Sequence, residues 1–352
     1  MNIQITIAVI CLAICAICAP AHAQTAELER ALTAYIDDQD IDGAVFYANI
    51  NGKVLQIAAG TIDESQTTPT TDETRFYIAS TGKMMTAAAI LSSVEEGKLK
   101  LDAPIWPHIK EIDGVKALAN ADKVTLRQLL NHTSGLAEYL GDEFDDASKM
   151  EPTKRWKAAE ALPFAFDLEP AFPPGTAFEY TNTNYILLGH ILAQIDGSLS
   201  ASLKSRVFEK AGMRKSTVGT DQSDGSLAHG FDEFGENATA QARASVMGDG
   251  PVISTAQDVG KFMLALLQNK TLIGPDTLIE MLSGSTHEQS YGLGIGYETD
   301  RIGEWFGHAG SYDGYEADVR YYPKSKAAFV ILMNGNPYSE ETFLDQAVEI
   351  LF

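Results

Sequence analysis

Gly43-Ala44-Val45-Phe46-Tyr47-Ala48-Asn49-Ile50-Asn51-Gly52-Lys53-Val54-Leu55-Gln56-Ile57-Ala58-Ala59 sets the fold of this chain. Two extended runs rich in strand-forming residues flank Asn-Gly, a dipeptide that accepts the positive φ angles of a two-residue hairpin. Strands should therefore cover Gly43 to Ile50 and Lys53 to Ala59. Working outward, Ala26 to Ile36 places Leu28, Leu32, Tyr35 and Ile36 at helical spacing. At the far end the order reverses, with strand candidates at Tyr291 to Tyr297, Gly314 to Tyr322 and Ala327 to Met333, then a helix from about Glu340 to Phe352. The middle reads as mostly helical: from Ser80 to about Glu96 with Gly97 as stop, Thr125 to Leu130, Tyr185 to Ile195 ended by Gly197, Ser200 to Lys210 ended by Gly212, and Thr255 to Gln268. Thr125 and Ser254 or Thr255 look like N-caps. The expected class is α/β (α+β): one antiparallel sheet formed by both chain ends, flanked by terminal helices, with a mostly helical region at about 80–270 inserted in it. A cleft between sheet and helices would carry the site.

Residues 1–23 read as a secretory signal peptide, with an apolar stretch from Ile3 to Ala19 and a small-residue cleavage pattern Ala21-His22-Ala23 before Gln24. No Lys or Arg precedes the apolar stretch, so an uncleaved anchor is the competing reading, although the stretch is marginal for a stable span. Residues 24–352 are then one exported domain, periplasmic or secreted. All three cysteines, Cys11, Cys15 and Cys18, fall in the leader, which leaves the mature chain without thiol chemistry, disulfides or thiolate metal sites. The net charge of −22, from 48 acidic against 26 basic residues, disfavours nucleic acid and anionic membranes as partners. The seven histidines show no close ligand spacing, and no glycine-rich phosphate cradle follows a strand, so no metal or other cofactor is expected.

The chemistry begins at Phe76-Tyr77-Ile78-Ala79-Ser80-Thr81-Gly82-Lys83-Met84-Met85-Thr86. A Ser and a Lys three residues apart at a helix start share one face, so the amine can take the Oγ proton, and the helix N-terminus favours a developing oxyanion. Alone this spacing is weak, since roughly one Ser-x-x-Lys is expected per few hundred residues. Two further groups give it meaning. Tyr180-Thr181-Asn182, on a turn before a helix, supplies a phenol and a carboxamide together. His308-Ala309-Gly310-Ser311 lies before an expected strand, where small residues let a substrate backbone approach a strand edge. Tyr47-Ala48-Asn49 and Lys210-Ala211-Gly212 match parts of the same patterns, but a strand face and a helix C-terminus explain them without catalysis. The polar stretch from Glu138 to Pro174 holds one short helix candidate near Trp156 to Ala161 and reads as a loop at the cleft edge.

In order, Ser80-x-x-Lys83, Tyr180-x-Asn182 and His308-x-Gly310 resemble the three motifs of the serine beta-lactamase and penicillin-binding-protein superfamily, in its class C beta-lactamase and D-alanyl-D-alanine carboxypeptidase branch. Flanking runs are similar as well: Leu129-Leu130-Asn131-His132-Thr133-Ser134-Gly135-Leu136, Gly250-Pro251-Val252-Ile253-Ser254-Thr255-Ala256-Gln257-Asp258 and Tyr291-Gly292-Leu293-Gly294. The resemblance implies that Ser80 forms an acyl-enzyme while Lys83 and Tyr180 relay its proton. It implies that Asn182 holds the substrate amide, and that the backbone N–H groups of Ser80 and of Ser311, after Gly310, form the oxyanion hole.

One departure matters for the substrate. Where relatives carry Lys-Thr-Gly or His-Thr-Gly, this chain has His308-Ala309-Gly310, so a part-time charge and a missing hydroxyl replace contacts to a substrate carboxylate. Unless Arg320, Arg301 or Arg243 substitutes, esterase or D-amino-acid peptidase action on a small-molecule or peptide acyl substrate ranks above beta-lactam hydrolysis. A non-catalytic penicillin- or peptidoglycan-binding sensor using the same cleft is the rival from another class.

Overall fold

The computed structural model describes residues 23–219, 225–232, 234–242, 247–339 and 341–352. Residues 1–22, nearly all of the expected signal peptide 1–23, and Arg243 lie outside them. Strands β1 (Gly43–Ile50) and β2 (Lys53–Gly60) form the expected hairpin, with Asn51 and Gly52 at φ 52° and 84°. Three short strands, β3 (Phe76–Tyr77), β4 (Thr217–Val218) and β5 (Val252–Ser254), make a small separate sheet. The far end supplies β6 (Gly296–Asp300), β7 (Gly303–Tyr312), β8 (Tyr315–Tyr322) and β9 (Ala327–Met333). Both ends meet in one sheet of order β2-β1-β9-β8-β7-β6, in which every neighbouring pair is antiparallel.

Helices run in chain order as α1 (23–38), α2 (Gly82–Glu95), α3 (Trp106–Ile109), α4 (Leu126–Leu130), α5 (Asp142–Met150), α6 (Ala158–Ala161) and α7 (Asn182–Asp196). Then come α8 (Leu199–Leu203), joined by a π-helical turn to α9 (Glu209–Ala211), α10 (Thr239–Ala242), α11 (Ala256–Met263), α12 (Pro275–Leu282) and α13 (Phe343–Leu351). Period-two alternation sorts the central strands into two cores. Ala44, Phe46 and Ala48 of β1, with Phe329 and Ile331 of β9, face Leu28, Leu32 and Ile36 of α1 and Phe343 and Leu344 of α13. Val45, Tyr47, Val330 and Leu332 point the other way, into the core built with α2, α7 and α11.

Three expectations shift. The strand expected at Tyr291 to Tyr297 begins at Gly296, because Gly292 and the left-handed Gly294 turn the chain so that Leu293 N–H donates to Met281 O at 2.8 Å. Tyr291 keeps only a single bridge, to Gly296. Strand β7 was not expected at all: its Gly303, Gly307 and Gly310 give no strand propensity, and pairing with β8 overrides it. The stretch 138–174 is more ordered than a loop, since α5 puts Asp142, Glu143 and Asp145 in its first turn and buries Phe144 and Ser148 on one face.

One detail of the sheet positions the site. β6 pairs with β7 only from Gly303 to Gly307, so residues 308–312 present an unpaired edge, against which the 3-10 turn Ala79–Thr81 packs. The stability of that platform rests on the face covered by the terminal helices, where the Phe46 ring lies 6.2 Å from Phe329 and 5.3 Å from Phe343. Phe46→Ala is expected to lower unfolding free energy by about 3–5 kcal/mol in denaturant titration, because the cavity lies between strand and helix.

Candidate active site

Ser80 lies in the 3-10 turn that leads into α2, and Lys83 is the second residue of that helix, fully buried. Ala79, which precedes Ser80, has φ 45°, a left-handed conformation that costs a non-glycine residue of order 1 kcal/mol and is typical of functional turns. Lys83 Nζ donates to Ser80 Oγ at 2.9 Å, to Asn182 Oδ1 at 2.7 Å and to the carbonyl of Asp249 at 2.8 Å. Nζ thus has three oxygen acceptors around it. Nζ also lies 5.0 Å from the Tyr180 ring centroid.

The second motif starts a helix. Thr181 caps α7 by accepting from Thr183 N–H, so Asn182 is its first residue rather than part of the preceding turn. The Asn182 amide is held on both sides, with Oδ1 on Lys83 and Nδ2 donating to Glu138 Oε2 at 3.1 Å. Glu138 also accepts from the Asn182 backbone N–H at 2.7 Å, and burial pushes its carboxyl above the usual range.

The third motif lies on β7. A Cβ on Gly310 would sit 2.7 Å from Ser80 N and 2.6 Å from Ile78 O, so only glycine lets the strand edge and the nucleophile turn approach this closely. Ser311 follows at the rim, its Oγ accepting from Asn336 Nδ2 at 3.0 Å. His308 Nε2 is 3.0 Å from Tyr291 Oη. Burial, with the nearby Lys83 charge, lowers the His308 pKa to about 4, so the expected part-time cation is a neutral imidazole near pH 7. Of the arginines that could supply a charge, Arg243 lies outside the described residues and the other two are engaged elsewhere. Arg320 is buried in ion pairs with Asp318 and Asp345, and Arg301 donates to Val348 O near the C-terminus.

Ser80, Tyr180, Asn182 and Ser311 line one cavity of about 310 Å³, together with Tyr139, Phe144, Tyr312 and others. A larger cavity of about 680 Å³, between Ser200 and Val218, contains none of these groups. Sequence reasoning missed Glu138 and Asp249, which carry no local signal. The two partial motif matches are structural as expected: Tyr47 packs on Gly260, and Gly212 is a left-handed C-cap.

The beta-lactamase family model matches residues 28–351. This chain belongs to the beta-lactamase family. Penicillin-binding protein 4* of Bacillus subtilis (strain 168) is 25% identical over 342 residues, covering 86% of this chain and 72% of its own length. A D-aminopeptidase of Cereibacter sphaeroides (strain ATCC 17029 / ATH 2.4.9) is 26% identical over 322 residues, which cover 87% of this chain but 59% of that protein. Among solved structures, the D-amino acid amidase from Ochrobactrum anthropi SV3 complexed with L-phenylalanine amide superposes with a TM-score of 0.76 at 25% identity, covering 92% of this chain and 96% of that one. The chain is a serine hydrolase of this superfamily, acting on amides or esters, in its class C and carboxypeptidase branch.

Two outcomes test the site's physics. Gly310→Ala should abolish turnover, read with an activated ester, because the added methyl displaces the Ser80 turn. Glu316, beside Ser311 and Asn336, has its carboxyl raised from 4.5 to about 7, mainly by burial. The fold therefore binds that proton more tightly than the unfolded chain does, and stability falls as pH rises from about 4.5 to about 7. Glu316→Gln should remove roughly 2–3 kcal/mol of that decline, measured by denaturant unfolding at pH 5 and pH 8.

Proposed function

We propose that this protein is an exported hydrolase that cleaves ester or amide bonds through an acyl-enzyme on Ser80, with an acyl donor whose recognition does not depend on a carboxylate beside the scissile bond. The observation that carries the reading is the 2.9 Å contact between buried Lys83 Nζ and the Oγ of Ser80, which lines one cavity with Tyr180. Ser80 Oγ attacks the carbonyl carbon as Lys83 and Tyr180 relay its proton to the leaving group. The oxyanion accepts from the backbone N–H groups of Ser80 and Ser311, a contribution of about 3 kcal/mol per donor. Cleavage of the carbon–leaving-group bond leaves the acyl-serine ester. Water then adds to that ester, with Tyr180 taking its proton, and Ser80 is released protonated. Asn182, fixed between Lys83 and Glu138, has a second amide N–H to offer the substrate.

The substrate class follows from the third motif. A neutral His308 and the methyl of Ala309 leave a carboxylate without one or two charge-assisted bonds, each worth about 1.5–3 kcal/mol. Esterase or D-amino-acid peptidase chemistry therefore ranks above beta-lactam hydrolysis. Export rests on the leader pattern of residues 1–23, and with it a periplasmic or secreted location and a mature form off the membrane. The net charge of −22 supports small-molecule or peptide substrates over nucleic acid.

Intact-mass spectrometry over time, with an activated neutral ester and with a penicillin, tests the reading. Turnover of the ester through a +acyl species that Ser80→Ala lacks, with slow attack on penicillin, is expected. Full ester turnover by Ser80→Ala would sink the mechanism, and a stable penicillin adduct without ester turnover would favour a sensor. The double change His308→Lys with Ala309→Thr should raise penicillin acylation at least about 10-fold by restoring the lost contacts.

A further inference from the structure

The run Asn131-His132-Thr133-Ser134-Gly135 takes no part in the chemistry above, yet His132 gathers unfavourable features that a structural residue has no need of. It is non-glycine at φ 56°, it is fully buried, and its Nε2 has no hydrogen-bond partner among the described residues. Such costs persist where the surroundings over-determine them, and they cluster at functional sites.

What His132 touches explains them. Its backbone carbonyl accepts from Glu179 N–H at 3.0 Å, and its Nδ1 accepts from Thr181 N–H at 3.1 Å. Backbone and ring together clamp the segment that carries Tyr180 between them. The imidazole plane lies against the Tyr180 ring at 4.2 Å and 26°, so it forms the wall behind the phenol. Tyr291 meets the other part of the ring edge-on at 5.1 Å, and Tyr291 in turn bonds His308. Because Thr181 N–H can only donate, Nδ1 must keep its lone pair, and a neutral ring then carries its proton on Nε2. Burial, with the charge of Lys83, holds the ring neutral far below the usual histidine pKa.

We propose that His132, as the neutral Nε2–H tautomer, is the positioning residue that fixes the Tyr180 phenol over Ser80 and Lys83, and this rests on the acyl-enzyme reading above. A phenylalanine there keeps the stack and loses the acceptor for Thr181 N–H. An asparagine keeps an acceptor near the Nδ1 position and loses the stack. Alanine loses both.

The test combines kinetics with a readout that needs no activity. With an activated neutral ester, below the melting temperature of each variant, His132→Ala should lose about 100-fold in kcat with KM within a few-fold of wild type, the scale expected when a catalytic group is misplaced by about 1 Å. His132→Phe and His132→Asn should each recover part of that loss. A folded His132→Ala with wild-type kcat overturns the proposal, as does a loss confined to KM. Nitrogen-15 NMR of histidine-labelled wild-type protein should find one imidazole protonated at Nε2 and untitrated down to pH 5, its signal absent in His132→Asn. A protonated Nδ1, or titration near pH 6.5, overturns the proposal even if the ester proves not to be a substrate, whereas absence of Ser80-dependent turnover with the expected tautomer would count against the acyl-enzyme reading alone.

Discussion

One buried amine ties two remote parts of this chain to the nucleophile turn. Lys83 Nζ reaches Ser80 in the turn that leads into its own helix, Asn182 at the start of α7 and the Asp249 carbonyl just before β5. A polar group out of water is costly unless its hydrogen bonds are satisfied, so the arrangement tolerates little displacement of any partner. That constraint explains the surrounding scaffold. Glu138 holds Asn182 from behind, Thr86 Oγ1 donates to Gly248 O at 2.8 Å beside Asp249, and Tyr139 Oη donates to Asp249 Oδ2 at 2.7 Å. The Tyr139 phenol is correspondingly pushed well above its ordinary value, by burial first and by the Asp249 charge second.

The sheet supplies the other half of the site through a topological consequence. Because β6 stops pairing at Gly307, residues 308–312 of β7 have no β6 partner and lie beside the nucleophile turn. Gly310 permits the contact, and Ser311 carries the edge into the cavity. An open edge is a liability elsewhere, but here the Ala79–Thr81 turn packs against it.

Much of this was legible in the sequence. The β1–β2 hairpin, β9, and the caps at Thr125, Thr255, Gly197 and Gly212 follow from local chemistry, and they stand where expected. Strand β7 did not, because its glycines serve close approach rather than propensity, and a pairing partner decides its conformation. Helix α5 was hidden by acidity that reads as loop until the buried Phe144 and Ser148 are placed on one face. In the site, the three motifs announce Ser80, Lys83, Tyr180, Asn182, His308 and Gly310. The supports Glu138, Asp249 and Tyr291 act through distances across the fold that no spacing encodes, and the neutrality of His308 is a product of its burial.

The central claim is that Lys83 makes Ser80 a nucleophile, and covalent labelling with a fluorophosphonate followed by peptide mapping tests it most directly. The account predicts one label, on Ser80, whose rate of formation collapses in Lys83→Ala while the fold survives. Labelling at another residue, or an unchanged rate on Ser80 without Lys83, would contradict it.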